Sequence, residues 1–394
     1  LSGTDITSVN CANNHSIVAT NYIDGSEDGD LAAYAGATMI VGVESAAEYS
    51  ETLGGFHPSE TSVMDVTSST TGTGYLWGVQ ADPSLAEGAA SPTSNQSIGW
   101  RLTVTDDPYN QRRWPKPDNY DPELFEFDRR TSNVGLDGPG TYSPLGPLLG
   151  TLFHGKRDVN DDTGWLQAEW PTADRARRAE IMAINYAAKA GWMWYLANSP
   201  DVHPTIRRLL DQWRPAYDEY LDGSSHTPTA SGWPFTFYRR GTRRLLNAGY
   251  IMKQQDTQGS PTKVDAIGTN HYNIDCHSRK TYAVNAGAGY RTDSIQNVDD
   301  IADLKRVVPH QVSAASLYTP EVTNLLVPNC YGASFVYYCS GRIDLWKANL
   351  GSVAGLWAAR SVIEATPIQS YSITTAGTGL QARIVALGGV ITPG

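Results

Sequence analysis

The run Tyr272-Asn273-Ile274-Asp275-Cys276-His277 sets an amide, a carboxylate and an imidazole at alternate positions. As a strand it would put Asn273, Asp275 and His277 on one face and Tyr272, Ile274 and Cys276 on the other. A carboxylate beside an imidazole is a proton-transfer edge, with His277 as the group that titrates near neutrality. The same pattern also suits a structural polar cluster holding a loop. His271 shares the parity of Asn273 and His277, but no fourth ligand can be identified, so no metal site is expected. The second chemical feature is the cluster Arg239, Arg240, Arg243, Arg244. On a helix these positions cover two faces and only one can meet a ligand. Arg240 is the substrate-side candidate, and a salt-bridged or solvated face is the alternative.

Two other segments could hold an anion or a cofactor. Tyr22–Ala37 reads as a strand, a Gly/Asp turn and a short helix starting near Leu31, with Gly29 and Asp30 at the junction. Such a turn brings backbone N–H groups and a carboxylate to a sheet edge, where α/β proteins bind ligands. The sequence Ser340-Gly341-Arg342 reads as the turn that opens a helix, offering unpaired N–H groups and the positive end of the helix dipole. Gly351 and its small neighbours Ala348, Ala354 and Gly355 would let that helix approach a ligand closely. Close packing of the helix on a sheet is the plainer alternative.

The elements that must position these residues can be read from periodicity and punctuation. Ser16–Ile23, Met39–Gly42, Arg101–Thr105 and Val322–Val327 read as strands. Helices are expected over Thr172–Asn198 (capped by Thr172 or Asp174), Pro204–Tyr220, the later part of Phe235–Met252, and Leu345–Ala365. Four prolines between Asp106 and Pro122 dictate extended loop. Thr131–Asp162 and Ala283–Asp300 also read as loop.

Taken in order, five segments resemble a family of FAD-dependent oxidoreductases. Tyr22–Ala37 (YIDGSEDGDLAAYAGA) resembles its "ID-A-T-x-x-G-D-L-A-A-x-A-G" stretch, and Ile98–Tyr120 is similar to its "R-L-x-L-T-D-D … P-x-P-x-x-Y" run. Asp218–Arg244 resembles "D-E-F … W-P-x-x-x-Y-x-R-E-A-R-R", and Ile267–His277 (IGTNHYNIDCH) resembles "I-G-x-x-x-Y-x-I-D-S-H". Asn324–Gly355 is similar to "N-L-L-V-P … S-A-S-H-x-A-x-x-S-I-R-M-E-P … L-G-x-x-A-G". Phe335 stands where the family has His, Gly241 where it has Glu, and Arg342-Ile343-Asp344-Leu345 where it has R-M-E-P.

The resemblance implies FAD as cofactor and hydride transfer to or from an organic small-molecule substrate. It implies Ser340, Gly341, Arg342 and Gly351 beside the flavin, Asp30 and Gly29 near its ribityl or phosphate region, and His277 and Arg240 on the substrate side. It also implies an α/β fold: an incomplete Rossmann-like FAD-binding domain (residues 1–50 and 305–394) with an α+β substrate domain between (51–304, helical near 172–252). The family's G-x-G-x-x-G loop, which seats the pyrophosphate on a helix N-terminus, is missing from this sequence. A second polypeptide carrying that N-terminal FAD phosphate loop is therefore expected as partner.

Composition narrows the alternatives. The chain has 394 residues, 40% apolar and 18% charged, with a net charge of −11, which fits a globular protein and disfavours nucleic acid as partner. No apolar run approaches the length needed to cross a bilayer. Leu1 in place of Met, the sequons at Asn14 and Asn95, and the scarcity of Lys point to a processed, secreted glycoprotein. Four cysteines without CxxC allow two disulfides or none. A non-catalytic relative and a secreted carbohydrate-active protein are the competing functions.

Overall fold

The structure, a computed structural model, describes residues 3–137, 152–159, 162, 166–221, 232–259, 262–277 and 279–392. Parts of the expected loop 131–162 and of the segment 218–244 (residues 222–231) lie outside them. The chain is a mixed α/β structure built largely from small antiparallel sheets, with two parallel strand pairs among the described residues. Among the described residues, no helix is long and apolar enough to cross a membrane.

Ser16–Ile23 is not one strand. Ser16–Ile17 pairs with Val9–Asn10, while β1 (Tyr22–Ile23) pairs in parallel with Leu325–Leu326. Asp24 follows β1, buried, and its carboxylate accepts from Ser26 N, Ser26 Oγ and Ala32 N. These bonds fold the acidic turn onto the first turn of α1 (Asp30–Tyr34). Gly29 caps α1 with φ 66°. A Cβ there would lie 3.0 Å from Met39 and 3.1 Å from Cys330, so conformation and crowding both require glycine. Next comes β2 (Met39–Ile40).

The helical region packs on one sheet. In it β3 (Leu102–Thr105) lies between Lys156–Val159 and Arg214–Pro215. Asp174 caps α2 (Arg175–Asn198), accepting from Arg177 N at 2.8 Å. Helix α3 (Pro204–Gln212) ends well before Tyr220, because Arg214–Pro215 is recruited as a strand beside β3. Trp100, Leu102 and Val104 meet Ile181, Trp192, Met193 and Leu196 of α2 and Ile206 and Leu210 of α3 in one apolar core.

No helix forms in the later part of Phe235–Met252. Instead Tyr238–Arg239 pairs with Ile98–Gly99, and β4 (Arg244–Leu245) pairs with β2. In this arrangement the four arginines go to four different carboxylates. Arg239 faces Asp28, Arg240 Asp162, Arg243 Asp30 and Arg244 Glu44. Asp28 and Asp30 lie together at the start of α1, while Glu44 and Asp162 come from other segments, so the arginines turn to three places.

Strand β5 (Ala266–Asn270) pairs with His310–Ser313. The segment read as loop at Ala283–Asp300 contains instead most of a hairpin, β6 (Lys280–Val284) and β7 (Gly289–Asp293), at the centre of a four-stranded sheet. Its turn has positive φ at Asn285, Ala286 and Gly287, a conformation that Ala does not advertise in sequence. The strand His310–Ser313 is β8, and β9 (Leu325–Leu326) is the parallel partner of β1.

Helix α4 (Phe335–Gly341) is capped by Ser334 and is followed directly by α5 (Asp344–Ile363). Trp346, Leu350, Val353 and Trp357 form the buried stripe of α5 and share a core with Ile267, Val312 and Leu326. The spacing of four, three and four residues is that of one helical face.

Candidate functional site

Beyond β5, residues 271–277 have no ladder partner among the described residues, yet burial alternates from Ile274 to His277. Ile274 and Cys276 enter a core with Leu53 and Phe335. Asp275 and His277 point the other way, into a row of alternating charges. His277 Nδ1 lies 2.9 Å from both oxygens of Asp162, and its Nε2 lies 3.4 Å from Asp275 Oδ2. Arg240 closes one end, its Nη1 3.2 Å from Asp162 Oδ1 and 3.1 Å from Ser97 O. Arg342 closes the other, its Nη2 donating to Asp275 Oδ2 (2.8 Å) and to the Asp275 carbonyl (3.0 Å). Arg342 Nη1 also reaches the Tyr238 hydroxyl at 3.2 Å, and the Tyr272 hydroxyl donates to Asp275 Oδ2 at 3.3 Å. Arg342 Nε is buried and makes no hydrogen bond.

The row has a dry side and a wet side. The side chains of Arg240 and Arg342 are 0% and 3% exposed, whereas those of His277, Asp162 and Asp275 are 22%, 40% and 38% exposed. Burial alone would favour neutral His277, but hydrogen bonds to Asp162 and Asp275 outweigh it and raise its pKa. Burial likewise works against ionised Asp275 and Asp162. His277 and Arg342 nonetheless hold Asp275 well below the usual carboxylate range, and His277 and Arg240 lower Asp162. Each ring nitrogen of His277 thus faces an ionised carboxylate, which favours the doubly protonated imidazolium. The arrangement can hold a proton at a solvent-facing ring and offer positive charge to a substrate.

The structure therefore brings together four of the residues singled out by sequence, His277, Asp275, Arg240 and Arg342. Asn273 is not with them; its Oδ1 accepts from Val307 N at 3.4 Å. Asp162, Tyr238 and Tyr272 were missed. No motif marks Asp162, and Tyr272, assigned to the opposite face, bends its hydroxyl back to Asp275.

The other candidates sit elsewhere. Asp30 pairs with Arg178 (2.6 and 2.8 Å) and Arg243 (2.6 Å). Gly29 N and Asp30 N donate to Ser26 Oγ, so the turn satisfies its own N–H groups. Ser340-Gly341-Arg342 does not open a helix. Ser340 and Gly341 end α4, and the Arg342 N–H bonds back to Tyr338 O. The segment closes a helix because Ser334 has already started one, and α5 begins only at Asp344. Ser340 Oγ is buried, donating to Tyr272 O and accepting from Asn270 Nδ2. A Cβ on Gly341 would strike the Tyr331 hydroxyl at 1.8 Å, whereas one on Gly351 would meet nothing within 4 Å. Gly351 thus lies on an open stretch of α5. Phe335 is buried between the guanidinium groups of Arg279 (5.5 Å) and Arg244 (5.7 Å).

Comparison with known proteins supplies the identity. No curated protein and no solved structure gives a significant match. The family model for FAD dependent oxidoreductases matches residues 1–380, nearly the whole chain. The chain therefore belongs to the FAD-dependent oxidoreductase family, and FAD is the cofactor of that family.

Proposed function

We propose that this chain carries the substrate-handling part of a flavoenzyme that moves a hydride between an organic small molecule and FAD. The observation that carries the reading is the row Arg240–Asp162–His277–Asp275–Arg342, whose titrating member faces solvent while its guanidinium groups lie beneath. When bound, FAD supplies the ring that takes or gives the hydride. His277 holds a proton at Nε2, the ring nitrogen with the longer contact, and can pass it to or take it from a substrate heteroatom or carbon. Asp162 fixes the ring through Nδ1, and Arg240 holds Asp162 in place. Arg342, with its unpaired buried Nε, suits an electron-rich edge of the cofactor or an anionic substrate group.

The residues here fit FAD in part. The parallel pair β1–β9 with α5 packed on both β1 and β5, and the open stretch at Gly351 and Gly355 where an added Cβ meets nothing, suit one part of a Rossmann-like flavin-binding domain. The glycine-rich pyrophosphate cradle is not in this sequence. Asp30, tied to two arginines, would act by holding the α1 turn against α2. An extracellular location is part of the same proposal. Of the two sequons, Asn14 is exposed and Asn95 is fully buried, so only Asn14 can carry a glycan in the folded chain.

Native material tests this reading directly. Flavin absorption bands are the expected result; a colourless particle without nucleotide would overturn it. His277→Gln should leave the bound-flavin spectrum in place and slow flavin reduction by substrate by roughly 10²–10⁴-fold. An unchanged rate removes His277 from the chemistry.

A further inference from the structure

Directly behind the charge row lie two thiols that the proposed chemistry does not use. Cys276 separates Asp275 from His277, and Cys339 lies three residues before Arg342. Both are buried, at 1% and 0% exposure, in the same core cluster. Their backbones are adjacent, since Asp275 N donates to Cys339 O at 3.3 Å. The Cys276 thiol lies 3.4 Å from the His277 carbonyl, and burial together with the Cys276 thiol pushes the Cys339 thiol up. The other two cysteines are engaged or placed elsewhere. Cys330 Sγ lies 3.5 Å from Glu27 O and 3.7 Å from Thr242 Oγ1, and Cys11 sits in the turn closed by its own N–H to His15 O.

We propose that Cys276 and Cys339 are a disulfide-forming pair that locks the segment carrying Asp275 and His277 to the end of α4 carrying Arg342. Two cysteines far apart in sequence, buried in one core cluster on adjacent backbones, are the arrangement from which a disulfide closes by side-chain rotation. The oxidant is a small-molecule disulfide such as glutathione disulfide, acting while the chain folds and the site is open. One cysteine thiolate attacks it and releases one glutathione thiol; the second cysteine then displaces the other glutathione. Two protein thiols are oxidised, one glutathione disulfide is reduced to two thiols, and the two cysteine protons end on those two glutathione thiols. After folding, burial shields the bond from reductants. Its effect is positional: with Cys276 and Cys339 linked, the Asp275–Arg342 pair cannot separate.

The test is a peptide map of the full chain matured in an oxidising compartment, alkylated after denaturation without reductant. Trypsin leaves Cys276 in one peptide and Cys330 with Cys339 in another, so fragmentation between the latter two assigns the sulfur. The expected product is a linked pair two hydrogens lighter than the sum of its peptides, joined at Cys339, with Cys11 and Cys330 alkylated. Alkylation of all four cysteines, or linkage of Cys276 to Cys11 or Cys330, overturns the proposal. A Cys276→Ser/Cys339→Ser chain provides the second reading. A thiol reductant applied at intermediate urea should lower the unfolding midpoint of the wild type and leave that of the variant unmoved. A wild type indifferent to reductant counts against the bond.

Discussion

Replacing Asp275 by Asn asks whether the charge row is an energetic unit. The carboxylate meets Arg342 at 2.8 Å, His277 at 3.4 Å and the Tyr272 hydroxyl at 3.3 Å, and Asn keeps the shape while removing the charge. Removing one member of a buried ion pair costs about 3–5 kcal/mol, because the other charge stays buried. Two features reduce that figure. The Asp275 side chain is 38% exposed, so solvent already screens the pair, and Arg342 keeps the Asp275 carbonyl and the Tyr238 hydroxyl as acceptors. A loss of about 2 kcal/mol at neutral pH is therefore expected.

The assay is urea unfolding followed by tryptophan fluorescence, repeated across pH for wild type and variant. The sign follows from the direction of each shift. Asp275 is depressed on folding, so its contribution is full above its unfolded value of about 4 and fades as pH falls through the lower folded value. The two stability curves should converge in acid. His277 is raised, so its contribution is full below about 6.5 and is lost as pH rises through the folded value; without Asp275 that loss should move to lower pH. A neutral-pH difference under about 0.5 kcal/mol, the scatter of ordinary surface changes, or a gap that widens in acid, would refute the reasoning.

Two further outcomes follow from buried positions. Burial raises Glu51 to about 7, although its carboxylate accepts from Gln254 N (2.7 Å) and Ser334 Oγ (2.6 Å). The wild type must lose stability as pH rises between the unfolded value, about 4, and the folded one. Glu51→Gln, which keeps an acceptor, should be more stable than wild type in mild alkali by up to about 3 kcal/mol; an equal or lower urea midpoint there counts against it. Gly241, the position where the family has Glu, would set a Cβ 1.7 Å from the buried Asn95 Oδ1. Gly241→Ala should cost about 1–3 kcal/mol by overpacking, and Asn95→Ala in the same chain should return part of it. A neutral single variant by thermal unfolding would show that Asn95 moves freely.

What the sequence determined by itself is local or ordered. Five segments in the family's order identified an FAD-dependent oxidoreductase, in agreement with the match over residues 1–380. Helix α2, capped by Thr172 or Asp174 on the sequence and by Asp174 in the structure, and the approximate span of α5 follow from capping chemistry and spacing, which act within a few residues. Alternation put Asp275 and His277 on one side because side-chain direction reverses at every residue of an extended chain. Tertiary structure decided the partners. Asp162 lies 115 residues from His277 and bears no mark of its role. The four clustered arginines read as a helix until they found carboxylates in three parts of the chain: Asp28 and Asp30 at the start of α1, Glu44, and Asp162. The Ser340-Gly341-Arg342 turn closes α4 because Ser334 caps it upstream, and Cys339 meets Cys276 because α4 packs beside the extended run. Ion pairs and packing contacts depend on where segments meet in space, and a period of two or 3.6 residues carries no information about that.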